Sequence, residues 1–494
     1  MTRHLGIYLR SGALAGALAA CVAAPPSPAP APLPAPAEPH EQAATSAPSA
    51  ATPDLLSMLA AGAQALSAGD AAVAATLLDR AVAAGADDCT AHFLCGVAHL
   101  HLGELTLARA ELQTAVDRDP ADTSARCVLA RVCHMSGDSA AALDQLGQAL
   151  EQSPDDARLH TMIGHVALDA GQLDLAFEHL SRAIELNADD ADAHRGLGLL
   201  FADVGDPARA ALAFREALRL EPEDALLHSG LAHALRDLGH DEEALAEYGE
   251  AQRLEPADPV HEANVASTLM VLGRRTESRR AYEHALASAG GPGPARARIQ
   301  LGLALLLESQ GDLDDAAESY EAALSDDPTL ATAEQNLGLL CLDRGDEPGA
   351  LRHLDAALEL GSLTAEAALQ LALLDERNGR PEAARQCAQL LADAATDDPD
   401  VALRRAQLLI ASHDPQIHDA AGALLILQDL LARPAQAESP ALWSLSAQAL
   451  ADLGDYAAAL DAVDRALAAS DTDSPAWRRD RALRSAYLVR LEEP

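Results

Sequence analysis

The chain has 494 residues, 76 of them acidic against 35 basic, for a formal charge of −41; it contains no lysine, so every fixed cation is an arginine. Binding to a phosphate backbone needs clustered cations and base stacking needs aromatic platforms, and with 2% aromatic residues the chain is built for neither. No nucleic-acid partner is expected.

Residues 1–20 have the layout of an export signal, with Arg3, His4 and Arg10 ahead of the uncharged run SGALAGALAACVAA, which is too short to cross a bilayer as a helix. Within it, Leu18-Ala19-Ala20-Cys21 resembles the bacterial lipobox, and the resemblance implies lipid attachment at Cys21. Residues 1–20 hold two Arg and no acid, so the mature charge becomes −43 (−41 − 2). Val22, with no Asp after Cys21, is similar to the pattern that sorts lipoproteins to the outer membrane, facing the periplasm. An ordinary signal cleaved near Ala24, giving a soluble periplasmic protein, is the alternative. Residues 21–54 continue as the lipidated Cys and a Pro/Ala-rich stretch that buries no apolar area and reads as an extended tether. Membrane contact then runs through the lipid anchor alone.

From residue 55 the turn dipeptides Gly69-Asp70, Gly103-Glu104, Gly137-Asp138, Gly171-Gln172, Gly205-Asp206, Gly239-His240 and Gly273-Arg274 recur every thirty-four residues. After a slip of four the series resumes at Gly311-Asp312, Gly345-Asp346, Gly379-Arg380 and His413-Asp414, and it ends, after a longer slip, at Gly454-Asp455. Each of the twelve units predicts a first helix, a Gly that ends it, a polar residue that caps the next, and a second helix stopping near Pro. In the unit 191–224, positions 8, 20, 27 and 32 are Gly198, Ala210, Ala217 and Pro222; in the unit 89–122 they are Gly96, Ala108, Ala115 and Pro120. Small residues there let two antiparallel helices approach closely.

On these positions the array resembles the tetratricopeptide repeat (TPR) family. The resemblance covers residues 55–473 and implies an all-α fold, a right-handed superhelical solenoid of about twelve helix-turn-helix units with a C-terminal capping helix. The expected organisation is units one to seven over 55–292, a Gly/Pro hinge at 293–296 beside GGPGP (290–294), units eight to twelve over 297–473, and a capping helix over 474–494 carrying Trp477, Leu483 and Tyr487. Large aromatics frequent in the family at positions 4, 11 and 24 are mostly missing, so each unit should depend strongly on its neighbours. Ser278 and Leu391 stand where the pattern has Ala, making the seventh and tenth units the least regular. The insertion DPQIHDAAG (414–422) reads as a surface loop within unit eleven.

Residues with a chemical flavour reduce mostly to architecture. HEANV (261–265) has Val265 where a zinc protease needs its second His; GLGLLF (from 196) lies inside a helix; NADDADAH (from 187) lacks the Gly and Glu of a calcium loop. His92, His160, His194 and His228 recur at position 4, where they should pack between units. The cluster Arg274, Arg275, Arg279 and Arg280 reads as a solvated face. Cys89, Cys95, Cys127, Cys133, Cys341 and Cys387 show no metal-ligand spacing and read as free, buried thiols, although an exported compartment permits disulfides. No metal, cofactor or catalytic constellation is expected, and the chain reads as non-enzymatic.

Function should therefore reside in surface. Positions 5, 9 and 12 of each first helix share one face, and in units one to seven they hold no Asp or Glu, where about three would fall by composition. The TPR resemblance implies that this face lines a concave groove. There the chain offers Arg131, His134, His165, Arg195, His233 and Arg236, followed in units eight to eleven by Leu301, Leu305, Leu339, Leu342, Leu369, Leu373, Leu403 and Ile410. The expectation is a bipartite groove, basic then apolar, that binds one or more proteins or peptide segments. By family analogy the protein is a scaffold or adaptor in the bacterial envelope, assembling a larger complex such as a pilus or polysaccharide export machine. A glycan or small-ligand binding protein and a non-catalytic subunit of a cell-wall enzyme complex are the alternatives, and oligomeric state is left open.

Overall fold

A computed structural model describes residues 53–394, 398–472 and 474–492; the export signal, Cys21 and nearly all of the tether lie outside the described residues. Those residues form twelve helix pairs, from Pro53–Ser67 with Ala71–Ala83 to Pro440–Asp452 with Tyr456–Ala469, followed by Pro475–Glu492. No strand occurs among them, and no described helix is long and apolar enough to cross a membrane.

The turn backbone recurs from unit to unit. Gly205 ends helix Ala191–Asp203 at φ 74°, a left-handed conformation that favours glycine, and the glycines of the other turn dipeptides lie between φ 68° and 86°. Asp206 then accepts the backbone N–H of Arg209 at 3.0 Å, as Asp138 accepts that of Ala141 and Asp455 that of Ala458, so one orphan donor of each of these three helices is satisfied, while Glu104, Gln172, His240, Asp312 and Arg380 make no such bond.

Position 24 organises the packing. Leu180, fully buried, lies between two glycines: an added Cβ at Gly164 or Gly196 would come within 2.5 or 2.7 Å of its side chain. Phe214 is held in the same way by Gly198 and Gly230, at 2.8 and 2.7 Å. The two glycines of GLGLLF thus serve close helix approach. The few aromatics are concentrated where the array needs bulk, since Phe214, Tyr248, Tyr282 and Tyr320 all occupy position 24 and are almost wholly buried. The irregular units are accommodated locally: Ser278 is buried and donates its hydroxyl to the carbonyl of Ala266 at 2.7 Å, and Leu391 is buried in the core.

The described residues fall into two compact bodies that divide between Ala281 and Tyr282, inside helix Arg275–Ser288. Residues 294–296, expected in the hinge, instead lengthen helix Pro294–Gln310, because Pro294 occupies its first turn, where a missing N–H costs nothing. The irregular backbone is confined to 289–293. The 414–422 insertion is also more than a surface loop. Ile417 is buried against the core that contains Leu371 and Leu408, Asp414 pairs with Arg385 at 2.8 Å, and residues 420–422 already belong to helix Ala420–Ala432. Helix Pro475–Glu492 covers the last pair as a cap, with Tyr487 buried and Leu483 packed beside it. It also brings Asp480 to the hydroxyl of Ser444, which donates to it at 2.6 Å.

Candidate functional site: the inner face of the first helices

The position-4 histidines have a common structural task. Nδ1 of His92 lies 2.6 Å from Glu111, Nδ1 of His160 3.0 Å from His179, and Nδ1 of His228 2.7 Å from Glu247; in each case the partner is position 23 of the same unit. Nε2 of His160, His194 and His228 reaches the carbonyl six residues back, at Pro154, Ala188 and Pro222. His92, His160 and His228 therefore join the two helices of one unit, and His160, His194 and His228 also reach the closing turn of the unit before, so the expected contact between units is joined by one within the unit. Arg126 performs both tasks in unit three, through Gln145 and the carbonyl of Pro120.

The cationic lane is less uniformly positive than its residue types suggest. Arg195 pairs with Asp192 at 2.6 Å, His134 lies 2.9 Å from Asp169, and Arg236 donates to the hydroxyl of Ser267 at 3.4 Å. His165 reaches the carbonyl of Asp192 at 3.1 Å, and His233 that of Ser229 at 2.7 Å. Burial, with the Arg236 charge adding to it, depresses the His233 imidazole to about 4. The acids come from positions 2 and 13, Asp192 and Asp169, outside the three positions read from sequence; the i, i+3 spacing of Asp192 and Arg195 is a signal that could have found one of them. Asp203, also at position 13, is held above the usual carboxylate range by burial and by Asp169.

Arg131 differs from its neighbours. Its side chain is half-buried, burial holds its guanidinium below the usual arginine range, and it makes no ion pair or hydrogen bond among the described residues. Buried nitrogens without a hydrogen-bond partner recur along the lane at Nε of Arg131, Nδ1 of His134, Nε of Arg195 and Nε2 of His233.

Three of the eight apolar residues are core and five are half-buried. Leu301 and Leu305 are buried in one hydrophobic cluster and Leu369 in another, which Leu339, Leu342 and Leu373 pack against. Leu403 and Ile410 are half-buried beside Ala406 and Leu427. Leu301, Leu305 and Leu369 are therefore withdrawn from any open stripe by the helices packed on them, while Leu339, Leu342, Leu373, Leu403 and Ile410 keep part of their surface. Position 12 also brings carboxylates to this stretch. Glu308 accepts from Tyr320 at 2.7 Å and is raised by burial, while Glu376 accepts from the Ser412 hydroxyl and from the His413 N–H at 3.0 Å.

All six described cysteines are free thiols; Cys95, Cys133 and Cys387 are buried, and Cys89, Cys127 and Cys341 half-buried. Two clusters bring potential metal-ligand atoms within 4.8 Å of one another, Asp79 with Cys95 and His99, and Glu255 with Asp258 and His261. Sequence spacing pointed to neither as a site.

Comparison with known proteins agrees with this architecture. A tetratricopeptide repeat family model matches residues 59–123, 195–259, 266–331 and 336–399, and two others match 164–205 and 106–166. The chain is 39% identical to human tetratricopeptide repeat protein 34 over 92 residues, which are 19% of this chain and 16% of that protein. Among solved structures, a tetratricopeptide repeat protein from Parabacteroides merdae aligns over 51% of this chain and 98% of its own, at 16% identity and a TM-score of 0.42. A chain of the Cut9–Hcn1 hetero-tetramer of APC/C aligns over 88% and 98%, at 14% identity and a TM-score of 0.44. With the family model spanning more than half of its residues in the register that the turns and glycines define, the chain belongs to the tetratricopeptide repeat family.

Proposed function

We propose that the protein is a non-enzymatic scaffold of the bacterial envelope, held to the outer membrane by a lipid on Cys21 and binding a protein segment along the lane from Arg131 to Arg236. The observation that carries this reading is Arg131. Arg131 is half-buried and makes no ion pair or hydrogen bond among the described residues, so it loses part of its solvation without an ion pair in return, which favours a binding role over a purely structural one. An acidic side chain or a backbone carbonyl of a bound segment would supply the partner that the Arg131 guanidinium lacks among the described residues. TPR proteins generally act as protein-interaction scaffolds, which favours a segment of protein over a glycan, and the chain's scarcity of aromatic side chains points the same way.

The test is site-specific crosslinking in cells of the native host, with a photoreactive residue at 131 and, as control, at 212 on an exposed second-helix surface. A discrete adduct from 131 that is absent from 212, and lost on Arg195→Glu in the same chain, supports the lane; equal adducts from both positions overturn it. The anchor is tested separately. Cys21→Ser should move the protein from the membrane fraction to the soluble periplasmic fraction, whereas unchanged fractionation with a mature N-terminus at or beyond residue 25 rejects lipidation.

A further inference from the structure

We propose that Asp79, Cys95 and His99 form a binding site for a zinc-class divalent cation at the junction of the first two units. Nε2 of His99 and Sγ of Cys95 both converge on Oδ1 of Asp79, at 3.0 and 3.1 Å, and the three ligand atoms lie within 4.8 Å of one another. Tetrahedral ligation with metal–ligand bonds of about 2.0 to 2.3 Å separates neighbouring ligand atoms by about 3.3 to 3.7 Å, so small side-chain shifts would admit an ion. Cys95 and His99 are one turn apart on helix Cys89–His101 and both are buried, while Asp79 reaches across from helix Ala71–Ala83 with half its side chain exposed. That arrangement gives three protein ligands and leaves a fourth position toward solvent. The mixed sulfur, nitrogen and oxygen set suits a borderline cation such as Zn²⁺ better than Ca²⁺ or Mg²⁺.

The residues behind the ligands support the assignment. Glu104 ends the turn where Asp70, Asp138 and Asp206 cap their helices, but it makes no such cap; its carboxylate lies 2.7 Å from Nδ1 of His99. A carboxylate on the far nitrogen fixes the ring and leaves Nε2 as the ligand atom, which is the usual outer shell of a metal-bound histidine. The array also contains its own counterpart. One junction downstream of unit nine, the same three repeat positions as Asp79, His99 and Glu104 are filled by Asp355, Asp375 and Arg380. There Arg380 bridges the two carboxylates, at 2.8 Å from Asp355 and 3.3 Å from Asp375. At the first junction two carboxylates, with Glu111 close by on His92, have no arginine paired to them among the described residues. A bound cation would fill there the role that Arg380 has in the later junction. Position 7, Leu or Ile or Val in units three to ten, is Cys95 in unit two.

Cobalt titration of the full, reduced chain tests the site. One Co²⁺ per chain should give thiolate-to-cobalt charge-transfer absorption, which Zn²⁺ abolishes by displacement. Cys95→Ser should remove that band, while Cys341→Ser keeps it. Asp79→Asn, a substitution at a half-exposed side chain that should fold normally, should weaken Zn²⁺ binding about tenfold or more, and Glu104→Gln about 10 to 100-fold. The absence of the band, its survival in Cys95→Ser, or unchanged affinity in Asp79→Asn would each overturn the proposal and leave His99 as an imidazole bonded between two carboxylates.

Discussion

Nδ1 of His353 lies 2.6 Å from Oε2 of Glu334, the same distance that separates His92 from Glu111, but with the two residue types exchanged between positions 4 and 23. The contact is therefore a property of the helix pair, which brings these two positions together, and either chemistry can occupy either side. Both partners in unit nine are mostly buried, with 14% and 16% of their side chains exposed. His353→Glu, which sets two carboxylates opposite each other, should destabilise by about 1–2 kcal/mol, and Glu334→His by less, since His160 and His179 already meet at these positions in unit four. The double exchange should recover most of that loss, measured as a coupling energy from denaturant unfolding. Additive losses would show that the contact is not a clamp.

The glycines facing position 24 make a second, steric prediction. Gly164→Ala sets a methyl group against Leu180 and Gly198→Ala against Phe214, so each should cost about 1–3 kcal/mol. Gly147, inside helix Ser139–Gln152, has nothing within 4 Å of its would-be Cβ. Gly147→Ala should gain up to about 1 kcal/mol through helix propensity alone. Thermal unfolding of the three variants measures both signs.

Acid should act oppositely on the two bodies. His233 is neutral in the fold down to about 4 but takes up a proton near 6.5 when unfolded. Its folded value is depressed, so the unfolded chain binds more protons and stability falls as the pH drops from about 6.5 to about 4, by about 3 kcal/mol in total. Burial raises Asp375 to about 6, against an ordinary 3.8, in spite of Arg380. Here the folded state binds the extra proton, so stability rises as the pH falls from about 7 to about 4, by about 3 kcal/mol. Hydrogen exchange should report weaker protection of helix Ala225–Asp237 and stronger protection of helix Ala365–Arg377 between pH 7 and 4.5. His233→Leu should abolish the first response and Asp375→Leu the second.

Arg131 separates stability from binding. Arg131→Leu removes a half-buried charge that has no partner among the described residues, and should raise stability by about 1 kcal/mol while weakening association with a natural partner. Arg195→Leu breaks the pair with Asp192 and should not stabilise. If Arg131→Leu lowers stability in a denaturant titration, the side chain is serving the fold, and the lane loses its best-supported member.

The sequence by itself determined the repeat. A glycine that must turn left-handed, an aspartate that caps, and small residues wherever two helices touch recur at fixed positions, and each acts within a few residues of itself, so period, helix class and capping were legible at once. The face shared by positions 5, 9 and 12 was legible for the same reason. What lies opposite that face was not, because it is set by how one helix pair leans on the next. Only tertiary structure buried Leu301, Leu305 and Leu369, drew Ile417 from an apparent surface loop into the core, and left Arg131 unpaired while giving Arg195 an aspartate. It alone joined Asp79 to Cys95 and His99, residues on two helices whose ligand atoms meet because a carboxylate reaches across a unit boundary. Local periodicity fixes which way a side chain points; the packing between helices decides what it meets.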